Sequence, residues 1–281
     1  MIYNQLEEFK MVRFGPAGND IKFYADGNQS SVDAPRWLAG MGLSAYEISF
    51  GRGIRMTDKT AQVIGAQAAT HGVKISVHAP YYINLANTEN LEKNYHYIKR
   101  SLELLAIMGG NRLVVHTGCQ MQMTREVALA NCRQSLQIVL QRLKDDGFND
   151  YWLCLETMGK YTQIGNLDEI CDLCALDPQH LMPTVDLGHM NCLAQGNMNL
   201  EHVFKHLEKF PQVHFHISFI EYGIKGEIRH LTLADKQYGF DLEVVMQLLH
   251  KRPGDDVVIS ESDSIMAQDS VKLRDFYLQQ N

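Results

Sequence analysis

The stretch "LEKNYHYIKRSLELLAIMGGNRLVVH", residues 91–116, holds one structural unit. An amphipathic helical pattern runs into a Gly pair, and a short β-rich run follows that stops on a histidine. Glycine commonly ends helices, so the pattern reads as helix, stop, strand. Working outward, the same grammar recurs. Strands are predicted at 11–15 (MVRFG), 46–50 (YEISF), 74–78 (KISVH), 112–116 (RLVVH), 151–156 (YWLCLE), 182–186 (MPTVD), 213–217 (VHFHI) and 256–261 (DVVISE). Helical patterns such as "TAQVIGAQAATHG" and "REVALANCRQSLQIVLQRLKDDG" lie between them. Strands that alternate with helices imply parallel pairing through crossovers, and eight such units in a chain of this length predict an α/β fold, one closed (β/α)₈ barrel. No Pro-, Gly- or Ser-rich linker divides it. Residues 1–10 read as an N-terminal extension, with Met11 an alternative start, and 11–281 as one TIM-barrel catalytic domain.

The chain has 281 residues, 45% of them hydrophobic, enough for a large core. It has no apolar run long enough to span a bilayer, and "MIYNQLEEFK" lacks the basic start and apolar stretch of an export signal, so a cytoplasmic protein without membrane association is expected, and a monomer. The net charge of −7 argues against a broad basic surface for non-specific nucleic-acid binding while leaving room for a local basic cleft. Six cysteines are scattered, several within apolar stretches, as expected of reduced core thiols. Cys171 and Cys174 in "DEICDLCALD" have no second pair to complete a tetrahedral metal site and read as one face of a helix.

In a (β/α)₈ barrel the C-terminal ends of the strands open on one face, and chemistry is placed there. Read as a list, those ends are His78, His116, Glu156, Asp186 followed by His189, His214 with His216, and Glu261. One such residue alone would ordinarily be a satisfied core polar group. Six successive strands ending this way would bury many ionisable groups in one pocket, which is costly unless cations or mutual pairing compensate them. Imidazole and carboxylate without thiolate suit zinc, manganese or iron and are poor for calcium. A catalytic zinc takes three protein ligands, so this many donors point to two or three ions sharing carboxylates, an arrangement suited to phosphodiester hydrolysis.

The stretches "SVHAPYYINLAN", "LVVHTGC", "LETMGK", "TVDLGHMNCLAQG", "HISF" and "ISES" resemble, in order, the motifs of the endonuclease IV family of apurinic/apyrimidinic endonucleases, within the xylose-isomerase-like TIM barrels. The resemblance implies a zinc-dependent hydrolase that binds DNA and cleaves it on the 5′ side of abasic sites in base excision repair. It implies a trinuclear zinc site, whereas the donor count by itself gives two or three Zn²⁺ per chain and the ligand types also admit Mn²⁺. His78 and His116 would hold one ion, with Glu156 bridging to a second completed by Asp186, His216 and Glu261; His189 and His230 would hold the third. Glu156 and Glu261 would be the catalytic carboxylates, steering a proton. The family has an aspartate two residues before the last histidine; in "KGEIRHLTL" that position is Ile228, and neighbouring Glu227 is the candidate substitute. The residues after His216 also depart from the family's form: they are Ile217, Ser218 and Phe219. Arg55 and Tyr81 match the residues that the family inserts into DNA at the lesion, with Arg52, Lys160, Lys225 and Arg229 as further phosphate contacts. The competing reading is a sugar isomerase or epimerase of the same superfamily. That enzyme needs one divalent ion on Glu156, Asp186, His216 and Glu261, and leaves His78, His116, His189 and His230 without a role. A barrel that keeps metals for structure or sensing is a third.

Overall fold

The computed structural model of the chain describes residues 12–280, so the expected extension over 1–10 and the start at Met11 lie outside the described residues. Eight parallel strands form one sheet: β1 (Arg13–Pro16), β2 (Ala45–Ser49), β3 (Lys74–His78), β4 (Arg112–Val115), β5 (Trp152–Glu156), β6 (Leu181–Asp186), β7 (His214–Ile217) and β10 (Val257–Ser260). Their order is β1-β10-β7-β6-β5-β4-β3-β2. A parallel bridge from Ala17 to Glu47, and a hydrogen bond from Ser44 N to Phe14 O (3.1 Å), join the two edges and close the ring. That seam depends on Gly15, because a Cβ there would stand 1.8 Å from the Ala45 carbonyl oxygen. Each of the eight predicted runs falls on a strand, 74–78 without displacement and the others with described ends within two residues of those predicted.

The strands read as near-continuous apolar runs because side chains on both faces are covered, as at Leu113, Val114 and Val115, which are fully buried. The outer layer includes α3 (Asp58–His71), α4 (Leu91–Ile107), α5 (Arg125–Asp145), α6 (Leu167–Cys174), α8 (Leu200–Leu207), α9 (Leu242–Lys251) and α10 (Met266–Leu278), with the short α1 (Ile21–Ala25) and α2 (Ala34–Gly40) between β1 and β2. Helix α4 turns Tyr95, Ile98, Leu102 and Leu105 onto the barrel at the expected helical spacing. Thr57, Thr124 and Asn166 cap the starts of α3, α5 and α6 with their side-chain oxygens. Cys171 and Cys174 are buried free thiols on α6. Among the described residues no helix is long and apolar enough to cross a membrane.

Two features position the site. No loop separates β6 from α7 (Leu187–Leu193): Asp186 ends the strand and caps the helix, accepting from His189 N at 2.7 Å. The second is a hairpin that the strand list did not contain. β8 (Ile220–Gly223) and β9 (Gly226–His230) pair antiparallel after β7 and fold over the strand ends. An antiparallel bridge from Lys160 to Gly226, and a 2.9 Å hydrogen bond from Glu227 N to Gly159 O, dock the hairpin on the loop after β5. Gly226 permits this approach: its φ is +99°, and a Cβ there would lie 2.2 Å from Gly159 O.

Candidate metal centre

Glu156, at the end of β5, lies at the middle of the strand-end cluster. One of its oxygens, Oε2, is 3.1 Å from His78 Nε2 and 2.9 Å from His116 Nε2. The other, Oε1, is 3.1 Å from His216 Nδ1 and 3.7 Å from His189 Nδ1. Glu261 Oε2 approaches His216 Nδ1 at 3.5 Å and His230 Nδ1 at 3.9 Å. The hairpin brings in Glu227, whose Oε2 is 3.6 Å from His189 Nε2 and whose Oε1 is 3.9 Å from His230 Nε2. Among the described residues three sets line the cluster, His78–His116–Glu156, Glu156–Asp186–His216–Glu261 and His189–Glu227–His230, and a fourth, Glu47–His214–His216, lies beneath it. Within each set one ligand atom per residue lies within 4.8 Å of the others. All eight strand-end and loop residues expected from the sequence are therefore brought together, and Glu227 with them.

The position of Glu227 has a definite cause. Tyr222 pairs with Glu227 and Glu221 with Arg229, so Ile228 is an extra, unpaired residue on β9. In an unbulged strand, residues two apart share a face, and 228 would join 230. One inserted residue reverses that parity. Ile228 is turned to solvent, 59% exposed, while the Glu227 side chain is only 18% exposed and faces the histidines.

The imidazoles are held from behind. His78 Nδ1 donates to Ala79 O (2.8 Å) and His189 Nδ1 to Thr157 O (3.0 Å), while His230 Nδ1 meets Ser218 Oγ at 2.9 Å. Each of the three thus keeps Nε2 for the cluster, the usual outer support of a metal-binding histidine. The polar groups are buried beyond what their mutual contacts satisfy. Asp186 Oδ2 is buried without a hydrogen-bond partner among the described residues, although Oδ1 caps α7. Burial raises the Asp186 carboxyl to about 6, with Glu261 and Glu156 adding to the rise and His189 opposing it. Burial would depress His189, but Asp186, Glu156 and Glu227 outweigh it and raise the imidazole to about 9. For Glu156 burial is likewise outweighed, by His116, His216 and His78, and its carboxyl is held well below the usual range. Crowded carboxylates, an orphaned carboxylate oxygen and imidazoles with one nitrogen already fixed fit divalent cations. No cysteine belongs to any of the three sets.

An open cleft of about 360 Å³ lies above, its walls including Tyr81, Met158, Lys160 and Gln163. Tyr81 is half exposed, stacked on His116 (centroids 5.4 Å apart, planes 17° apart) and bonded to Ser49 Oγ at 3.3 Å. Arg52 and Arg55 are exposed in the loop after β2, and Lys225 is exposed at the hairpin turn. Arg229 is tied to Glu221 at 2.7 Å. His214, also a strand-seven candidate, does not reach the cluster: its Nε2 bonds Glu47 Oε2 at 2.9 Å beneath the site. Glu47 is the residue that sequence reasoning missed. It sits in mid-strand on β2 rather than at a strand end, and its only signal was a lone carboxylate inside an apolar run.

A family model described as xylose isomerase-like TIM barrel matches residues 35–274. An uncharacterized protein of Methanocaldococcus jannaschii is 31% identical over 95% of this chain and 97% of its own length. A probable endonuclease 4 of Mesomycoplasma hyopneumoniae is 28% identical over 59% of this chain, which spans 62% of that protein. Among solved structures, a D-tagatose 3-epimerase-like protein superposes with a TM-score of 0.70 at 20% identity, covering 95% of this chain and 97% of that one, a likeness of fold. Closed ring, strand-end chemistry and matched length agree: the chain belongs to the xylose isomerase-like TIM barrel family.

Proposed function

We propose that this protein is a divalent-metal-dependent phosphodiesterase, resembling endonuclease IV, that cleaves DNA 5′ to abasic sites in base excision repair. The observation that carries the reading is the number and connection of the donor sets. Among the described residues nine side chains at the strand-end cluster form three sets, and Glu156 belongs to two of them. One ion has no use for so many. His78, His116 and Glu156 would hold one cation; Asp186, His216, Glu261 and the shared Glu156 a second; His189, Glu227 and His230 a third. When bound, zinc or manganese lowers the pKa of water at the site and neutralises phosphate charge.

The chain's own groups supply the rest. Glu261 has the more accessible of the two candidate catalytic carboxylates, 14% exposed against 1% for Glu156, and takes the proton of the attacking water at the cleft floor. Lys160, exposed at the cleft edge with Nζ 3.9 Å from Glu227, can meet a phosphate oxygen. Tyr81 offers a flat, half-exposed ring at the mouth, suited to stacking where a nucleotide has left the duplex, and Arg55 is exposed on the same face.

A second reading has its own support. Glu156, Asp186, His216 and Glu261 are a complete set by themselves and would serve a mononuclear sugar isomerase or epimerase. A duplex carrying one abasic site separates the two. The phosphodiesterase nicks it 5′ to the lesion, and a chelator stops the reaction. No nick above background, with one metal per chain, would overturn the phosphodiesterase reading and favour the isomerase one.

A further inference from the structure

Glu47 has no part in the reaction proposed above, yet it is a fully buried carboxylate directly beneath the cluster. Its Oε2 accepts from Ser76 Oγ at 2.9 Å and from His214 Nε2 at 2.9 Å. Its Oε1 faces His216 Nε2 at 3.1 Å, and neither of these two atoms has an aligned hydrogen bond among the described residues. His216 differs from the other supported imidazoles of the site. His78, His189 and His230 have Nδ1 held by a carbonyl or a hydroxyl, so each offers Nε2. In His216 the ring is reversed: Nδ1 faces Glu156 and Glu261, and Nε2 faces a carboxylate.

A carboxylate behind an imidazole fixes the proton on the near nitrogen and makes the far nitrogen a stronger donor. We propose that Glu47 is a positioning residue that keeps the proton of His216 on Nε2 and its Nδ1 lone pair turned to the cation of the Glu156–Asp186–His216–Glu261 set, with Ser76 and His214 holding Glu47 in turn. In this role Glu47 stands behind the ligating imidazole, since its Oε2 is already engaged by Ser76 and His214. It acts through His216, which both enzyme readings use. The inference rests on metal binding at this set and not on which reaction follows.

The test is a zinc titration against a chromophoric chelator, run on the wild-type chain, Glu47→Gln and His216→Ala. His216→Ala identifies the binding step that belongs to this set. Glu47→Gln weakens that same step by about 10–100-fold and leaves the other steps unchanged. Histidine ¹⁵N spectra of the zinc-loaded protein give a second readout: the His216 proton sits on Nε2 in the wild type and redistributes in Glu47→Gln. Ser76→Ala, which removes one of Glu47's bonds and less of its packing, weakens the same step by less. Unchanged zinc affinity and tautomer in Glu47→Gln, with only a lower melting temperature, would overturn the inference. A wild-type chain that binds no zinc would instead overturn the metal-centre reading beneath it.

Discussion

The donor groups come from two regions built on different principles. The barrel floor takes Glu156, Asp186 and His216 from successive strands whose backbones are paired on both sides, and these side chains are at most 1% exposed. The rim takes Glu227 and His230 from a two-stranded hairpin fastened to the loop after β5, and their side chains are 18% and 29% exposed. On the floor, which residue faces the site follows from strand alternation that the whole ring enforces. On the rim it follows from a single unpaired residue, Ile228. Floor geometry is therefore fixed by the fold, and rim geometry is open to local change.

The largest expected effect is on the residue the floor sets share. Glu156→Gln should lower nicking of an abasic duplex by roughly 1,000-fold or more, beyond the ~10–100-fold typical of losing an outer partner of a metal ligand. Elemental analysis should show fewer metals per chain. Retained metal content would break the idea that Glu156 links the sets. Next comes the rim. Glu227→Ala should lose one metal, leave the floor metals in place, and lower activity by about 100-fold, the scale of one lost electrostatic contact to a transition state. Deleting Ile228 sharpens this comparison, because it places Glu227 two residues before His230 in an unbulged strand, still on the same face. That deletion should keep the metal count that Glu227→Ala loses.

Metal uptake should also depend on pH, with a sign set by His189. In the metal-free chain its imidazole stays protonated up to about pH 9, whereas ligation needs the neutral ring. The folded-state pKa is raised, so protons compete with the cation below it. Zinc affinity at the rim should rise by about tenfold per pH unit toward 9 and level off above, as expected for one displaced proton. A flat profile in competition titrations would remove His189 from the ligand set. The smallest effect belongs to the mouth. Tyr81→Ala should weaken binding of the abasic duplex by about fivefold, ~1 kcal/mol of lost stacking, with metal content unchanged.

What the sequence revealed follows the same division. Apolar runs ending on metal-type residues were readable because covered strands admit few polar side chains, so His78, Glu156, Asp186 and Glu261 stood out at their ends. His189 was readable because α7 begins where β6 stops. Glu47 was hidden because its partners lie far off in sequence: Ser76 is its cross-strand neighbour on β3, and His214 and His216 come from β7, whose side chains ring closure brings against it. The choice of Glu227 over Ile228 could be suspected from a missing aspartate. Its reason could not, since a bulge is set by pairing across the hairpin and leaves no mark in the local sequence.

Zinc content per chain, measured by elemental analysis after zinc loading and removal of loosely held metal, is the most direct test. A polynuclear phosphodiesterase on these residues predicts two or three zinc ions in the wild type and one fewer in Glu227→Ala. A single ion in both would contradict it and leave only the four-residue floor set in use.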